Sequence, residues 1–274
     1  MRDFGYEEGR DFIVEWRFAE GNFSRHPEFA IDLARLKVDI IVLGTTSALP
    51  AVKQATSTIP IVMAYSIDPV GSGFVASLAR PGGNTTGLVS ALDDIISKHL
   101  ELLKDVKPSL SRFGLLSNPN SPNHRPFVKS ARAAANMAGM TIVELDARNR
   151  EEIETAFATA AAERVEAVGV LADAIFNLHR ERVAELAIAN RLPSIFSQRE
   201  YVQAGGMMSY GETLSEVYRR VTYFVDRIFK GTKPADLPVE QPSSFQLSVN
   251  LKTAKAIGHH LPEAFLLRAD EVVE

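Results

Sequence analysis

Short apolar runs alternate with longer stretches whose apolar positions recur every three or four residues, and this alternation fills most of the chain. Residues 12–18 read as a strand, with Phe12, Val14 and Trp16 on one face. The spacing then predicts a helix over about 27–36, a strand over 38–43 and a short helix beginning near Ser47. The 38–43 run is almost continuously apolar, the pattern of a strand covered on both faces. Strands at 59–64 and 86–90 follow, and then a helix over about 92–103 with Ile95, Ile96, Leu100 and Leu103 on its apolar stripe. Strands alternating with helices in this way imply a parallel sheet clothed by helices.

The pattern restarts beyond Pro108. A strand at 113–116 ends in Ser117-Asn118-Pro119-Asn120, after which Ser121 as N-cap and Pro122 at the first helical position open a helix that Gly139 closes. Strands at 141–145, 168–171 and 194–196 come next, with helices starting near Arg150 and Ile175, and 207–209 reads as a short outer strand. Thr213 and Glu216 form a capping box for a helix striped by Leu214, Val217, Tyr218, Val221, Phe224, Val225 and Ile228. Gly231 and Pro234 stop that helix, and a Pro-rich return leads to a strand at 245–249 and a short helix from about Leu251. Two successive sets of units predict two similar α/β lobes, 1–107 with about 211–232, and 108–210 with about 233–274. Repeated crossings between lobes make a hinge, and a hinged pair encloses a ligand cleft.

The start of the chain departs from this scheme. Residues 1–6 read as the tail of a helix, capped by Gly5, that runs straight into the strand at 12–18. The expectation is a first βα unit entered part-way, with the first strand and most of the first helix missing. The resulting gap in the sheet is one that a second chain would fill as a homodimer.

Composition narrows the function classes. The 274 residues are 46% hydrophobic and 23% charged, an ordinary globular balance. A net charge of −4 gives no basic excess for a nucleic-acid partner. The absence of cysteine removes thiol chemistry and disulfides together. No apolar run is long enough to span a membrane, and the first residues lack the apolar core of a signal peptide. The chain as written would therefore be cytoplasmic if Met1 is its true start.

Candidate chemistry lies in the loops that follow strands. Gly44-Thr45-Thr46-Ser47 leaves a strand and opens a helix, so the hydroxyls of Thr45, Thr46 and Ser47 with helix-terminal amides suit a carboxylate, although Ser47 equally reads as a helix cap. Asn118 and Ser121 occupy the corresponding loop of the second set, where turn and cap chemistry is the competing reading. Asp68 and Asp173 stand at strand ends and suit an ammonium group, or a turn. Gly71-Ser72-Gly73-Phe74-Val75-Ala76 matches the dinucleotide fingerprint in letters but not in context, because it does not follow its strand directly. The six histidines show no metal-ligand spacing and read as surface or capping residues, so no metal or cofactor is expected.

Several phrases in order carry a resemblance. Phe4-Gly5-Tyr6-Glu7-Glu8-Gly9, Glu15-Trp16-Arg17-Phe18-Ala19-Glu20-Gly21, Thr58-Ile59-Pro60-Ile61-Val62, Asp68-Pro69-Val70 and Leu78-Ala79-Arg80-Pro81-Gly82-Gly83-Asn84 are followed by Pro238-Val239-Glu240-Gln241, Asn250-Leu251-Lys252-Thr253-Ala254-Lys255 and Arg268-Ala269-Asp270-Glu271. Together they resemble the ABC-transporter substrate-binding family that includes tryptophan-binding members, over nearly the whole chain. The resemblance implies a type I periplasmic-binding-protein fold, with two Rossmann-like lobes joined by a hinge, and no catalysis. It implies capture of a small solute, often an amino acid and sometimes an aromatic one, for a membrane permease, in the periplasm. It adds Arg199 and Glu200 to the ligand contacts and supports the loops of Thr45–Ser47, Asp68, Asn118–Ser121 and Asp173. A ligand-sensing domain of a regulator is the alternative, although no helix-turn-helix flanks the lobes. A nucleotide-dependent enzyme resting on the 71–76 match is the weaker one.

Overall fold

The computed structural model describes the backbone of residues 1–20, 22–121, 124–242 and 244–274, and their side chains apart from Leu92 and Asp93. Along the chain the helices are α1 (His26–Leu36), α2 (Leu49–Ala55), α3 (Leu92–Val106), α4 (His124–Met137), α5 (Arg150–Ala162), α6 (Ala174–Leu178), α7 (Arg180–Ala189), α8 (Glu200–Gln203), α9 (Leu214–Phe229), α10 (Leu251–Ala256) and α11 (Glu263–Leu266). The strands are β1 (Ile41–Leu43), β2 (Ile61–Met63), β3 (Thr85–Gly87), β4 (Arg112–Ser117), β5 (Thr141–Asp146), β6 (Ala167–Val170), β7 (Ser194–Phe196), β8 (Met208–Glu212), β9 (Phe245–Asn250) and β10 (Glu271–Val273). Pro122, expected at the first position of α4, lies outside the described residues. Gly139, with φ +68, ends that helix as anticipated.

Two compact units result. Unit 1 comprises Met1–Ala91 and Leu214–Ser243, and unit 2 comprises Leu92–Thr213 and Ser244–Glu274. The expected partition differs at its edges. Helix α3, placed with the first lobe by sequence, packs against α4 and β8 of unit 2. The return beyond α9 stays with unit 1, where Leu237 and Val239 enter its core.

In unit 1 the described strands form a parallel sheet in the order β1–β2–β3. Alternation along β2 divides the core: Ile61 and Met63 face Leu49 and Val52 of α2, while Val62 faces Val217, Val221 and Phe224 of α9. The helix that the capping pattern announced thus covers the second face of the sheet. Two expectations are corrected here. Residues 12–18 form no strand: Phe12 makes an isolated bridge to Glu8, and Ile13 and Trp16 stand 77% and 65% exposed. A period-two pattern makes a strand only where a neighbouring strand supplies its hydrogen bonds, and among the described residues none lies beside this segment. Trp16 stacks on Phe18 instead, and Arg17 reaches Asp32 of α1 at 2.8 Å. Likewise β1 is an edge strand whose Val42 is exposed, not a strand covered on both faces.

Unit 2 carries a sheet in the order β10–β9–β8–β7–β6–β4–β5, parallel except where β9 runs against β8. Its core gathers Leu116, Leu145, Val168 and Phe196 from the sheet with Ile153, Phe157, Phe176 and Val183 from the helices. His99 of α3 is buried there and lies 2.6 Å from the Tyr210 carbonyl; burial pushes its pKa down to about 4, so the ring is neutral and donates from Nε2. His26 and His124 are also buried. The surface role expected for the histidines therefore fails at these positions.

Gly87 closes β3 at φ +125, and a Cβ there would lie 2.2 Å from the Met63 carbonyl oxygen. The conformation falls on β3 and the clash on the backbone of its neighbour β2, the central strand of the three, where neither partner can step aside. Gly87→Ala is expected to destabilise the protein by about 2 kcal/mol or more. Urea unfolding followed by circular dichroism measures this, and an unchanged midpoint would contradict it.

Candidate functional site

Parallel strands set the loops at their carboxyl ends along one edge of the sheet. In unit 2 the order β5–β4–β6–β7–β8 reverses between β4 and β6, so the loops after these two strands part at the switch point. Asn118 follows β4, and Asp173 follows β6.

Local turn chemistry fixes each loop. Asn118 Oδ1 accepts the Asn120 amide at 3.0 Å, and its carbonyl accepts the Ser121 amide at 2.9 Å, which is the turn that Asn-Pro-Asn-Ser announces. Asp173 caps α6, its Oδ1 accepting the Ile175 amide at 2.9 Å. Turn and cap roles are therefore both real, yet they leave further capacity. The Asn118 Nδ2 stands 3.3 and 3.4 Å from the two Asp173 oxygens, so the loops meet through their side chains. Asn118, Ser121 and Asp173 are all buried, Asp173 with 7% of its surface exposed. A carboxylate so placed, with few donors, offers strong attraction to a cationic group.

Two residues that the sequence did not mark complete this edge. His124, the first residue of α4, accepts the Asn118 backbone amide at Nδ1 over 2.7 Å, and its Nε2 lies 3.2 Å from the Ala172 carbonyl. The ring must carry its proton on Nε2 and donate there. Burial lowers its pKa, opposed by the Ala172 carbonyl and the Asp173 charge. Tyr201 of α8 stacks on Phe196 at 4.5 Å and is 2% exposed. Its hydroxyl is buried without a hydrogen-bond partner among the described residues, as is Asn177 Oδ1. Burial first, and the nearby Asp173 charge second, push its pKa up and keep the phenol neutral. Only position in the fold identifies these two; the turn-rich phrase around His124 was the one available signal.

The corresponding edge of unit 1 carries the other expected residues. Thr45 Oγ1 lies 3.0 Å from Ser47 Oγ and caps the short 3-10 turn Thr46–Ala48. Thr46 Oγ1 accepts the Ile67 amide at 2.9 Å, tying the loop after β1 to the loop after β2. Asp68, next in that loop, has φ +44 and accepts the Gly71 amide at 2.8 Å. Ser66 is fully buried, with its hydroxyl unpartnered among the described residues. Residues 71–76 form turns and no helix, so the dinucleotide pattern lacks its structural context. Arg199 and Glu200 lie beyond β7. The Arg199 guanidinium bonds Glu271 of β10 at 3.1 Å, and Glu200 is exposed in the first turn of α8. Among the described residues no cluster of three metal-ligating side chains occurs, and no helix is long and apolar enough to cross a membrane.

The family model described as ABC transporter substrate binding protein matches residues 1–273. The chain belongs to this family. A tyrosine-binding protein of Clostridioides difficile is 26% identical over 257 residues, 94% of this chain and 74% of the relative. Among solved structures, a conserved domain protein from Vibrio cholerae is 28% identical, with a TM-score of 0.91 over 99% of this chain and 90% of the other. An ABC domain from Streptococcus pneumoniae in complex with L-Trp is 26% identical, with a TM-score of 0.88 over 99% and 91% of the two chains. The substrate-binding family and its two-unit α/β fold thus agree with the reading of the sequence, over the regulator and the nucleotide enzyme.

The unpartnered phenol makes a direct prediction. Tyr201→Phe removes a buried hydroxyl that no described group satisfies, while keeping the stack on Phe196. Stability of the ligand-free protein should hold or rise by about 1 kcal/mol, measured by urea unfolding. A loss of that size would show that the hydroxyl has a partner.

Proposed function

We propose that this substrate-binding protein captures an amino acid with an aromatic side chain, and passes it to a membrane permease on the outer side of the cytoplasmic membrane. Asp173 carries the reading. It is a carboxylate buried at the switch point of unit 2, steadied by Asn118 and the Ile175 amide, with attraction left for an ammonium group. Ser121 and Asn118 line the same loops. In unit 1, Thr45, Thr46, Ser47 and Asp68 are proposed as ligand contacts of that unit, and Arg199 and Glu200 as contacts beyond β7. Similarity to a tyrosine-binding protein and to a domain solved with L-Trp supports the ligand class. Specificity for the side chain would come from pocket shape, as in small-molecule sites generally.

Differential scanning fluorimetry with the twenty amino acids tests this. L-tryptophan or L-tyrosine should raise the melting temperature, by mass action on the folded state, while glycine and sugars should not. Asp173→Asn should weaken the response by tenfold or more in affinity, on the order of 1.4 kcal/mol. No shift with any amino acid, or an undiminished response in Asp173→Asn, would remove the reading.

A further inference from the structure

The function assigned to Asp173 and Asn118 leaves His124 unused, although its ring is joined to both of their loops. Its Nδ1 accepts the backbone amide of Asn118 at 2.7 Å, and its Nε2 donates to the Ala172 carbonyl at 3.2 Å. Asn118 Nδ2 then closes the circuit onto the carboxylate of Asp173, the residue after Ala172. A ring of contacts thus runs from the loop after β4, through the imidazole, to the loop after β6 and back. Strands β4 and β6 are joined by backbone hydrogen bonds up to the Leu171 amide on the Leu116 carbonyl; beyond it the contacts between the two loops run through side chains, so a side chain that spans them sets their spacing.

The circuit works in one protonation state. An imidazole that accepts at Nδ1 and donates at Nε2 is neutral; a protonated ring has two donors and cannot accept the Asn118 amide. Protonation has a second consequence. Asp173 Oδ2 stands 3.8 Å from Nε2, so a charged ring would neutralise the carboxylate that meets the ligand. Phe176 of α6 packs beside the imidazole at 6.4 Å, and the Tyr201 phenol of α8, raised by burial and by the nearby Asp173 charge, stays neutral. Asp173, at the start of α6, is the charged side chain whose field acts on the imidazole.

We propose that His124 is a positioning residue that clasps the two ligand-bearing loops of unit 2 in its neutral form, and that protonating it releases the ligand. This rests on the assignment of Asp173 and Asn118 to ligand binding. Burial is the largest influence on the ring and lowers its pKa, so the neutral form persists below the ordinary histidine value of 6.5. The sign follows. Capture is intact at neutral pH and is lost as pH falls through the ring's own pKa. Folding stability from the buried neutral ring is also present above 6.5 and declines as acid protonates the unfolded chain first.

Isothermal titration with L-tryptophan and L-tyrosine from pH 8 downward through the pH at which the imidazole itself protonates provides the test, because a free amino acid keeps both of its charges well into acid. Wild-type affinity should fall as the ring protonates, approaching tenfold per pH unit below the ring's pKa. His124→Phe should lose about tenfold at pH 7.5 and flatten the profile. His124→Gln, which can accept and donate, should recover part of the affinity without the pH dependence. A wild-type profile that stays flat while nitrogen-15 shifts show the imidazole protonating, or one that His124→Phe leaves unchanged in shape, overturns the proposal. Nitrogen-15 spectra of the wild-type imidazole decide it independently of any ligand or variant. The clasp requires an unprotonated Nδ1 and a protonated Nε2 at pH 7.5, and exchange protection of the Asn118 amide that disappears in acid. The opposite tautomer, or a charged ring at pH 7.5, overturns it even if binding is observed. Failure of both amino acids to bind, with the tautomer as required, counts instead against the ligand class.

Discussion

A carboxylate withdrawn from water must be matched by donors, and Asp173 is matched only in part. One backbone amide and a long contact from Asn118 hold it, while its own position after β6 puts it at the switch point of the sheet. Much of unit 2 serves that placement. The apolar strands β4, β6 and β7 bury their faces against α5, α6 and α7, so the loops at their ends can be polar without costing the core. Phe176 packs beside His124, and Phe196 stacks on Tyr201.

Unit 1 solves a simpler problem. Its edge hydroxyls largely satisfy one another or nearby amides: Thr45 with Ser47, and Thr46 with Ile67. These contacts fix the shape of the loops after β1 and β2, and Ser66 is the described side chain there that has a buried hydroxyl in want of a partner. The contrast between the two units separates a loop that is mainly built from one that retains chemical demand. Membership of the substrate-binding family gives that demand its meaning, since a substrate-binding protein must hold its substrate.

The alternation of short apolar runs with striped helices made most of the fold legible before any coordinates, because burial on a sheet or helix face leaves its period in the sequence. Gly139, the 194–196 strand and the helix after Thr213 are where they were expected. Residues 12–18 were misread because alternation records which faces are apolar, not whether a neighbouring strand is present. Helix α3 showed its stripe, but a stripe does not name the sheet it will cover. Asn118, Ser121 and Asp173 were readable as strand-end loop residues. His124 and Tyr201 were not: both depend on contacts between segments far apart in the chain, and a histidine opening a helix carries no spacing that would betray its burial. Even the resemblance to relatives pointed to loops and not to the ring that joins them.

The claim that binding centres on the loops after β4 and β6 is tested most directly by amide chemical shifts of nitrogen-15-labelled protein titrated with L-tryptophan. The account predicts the largest changes at Asn118, Asn120, Ser121 and His124 and at Asp173, Ala174 and Ile175, with the core amides of β4 and β6 moving little. Saturable binding that leaves all of these loop amides in place would contradict it.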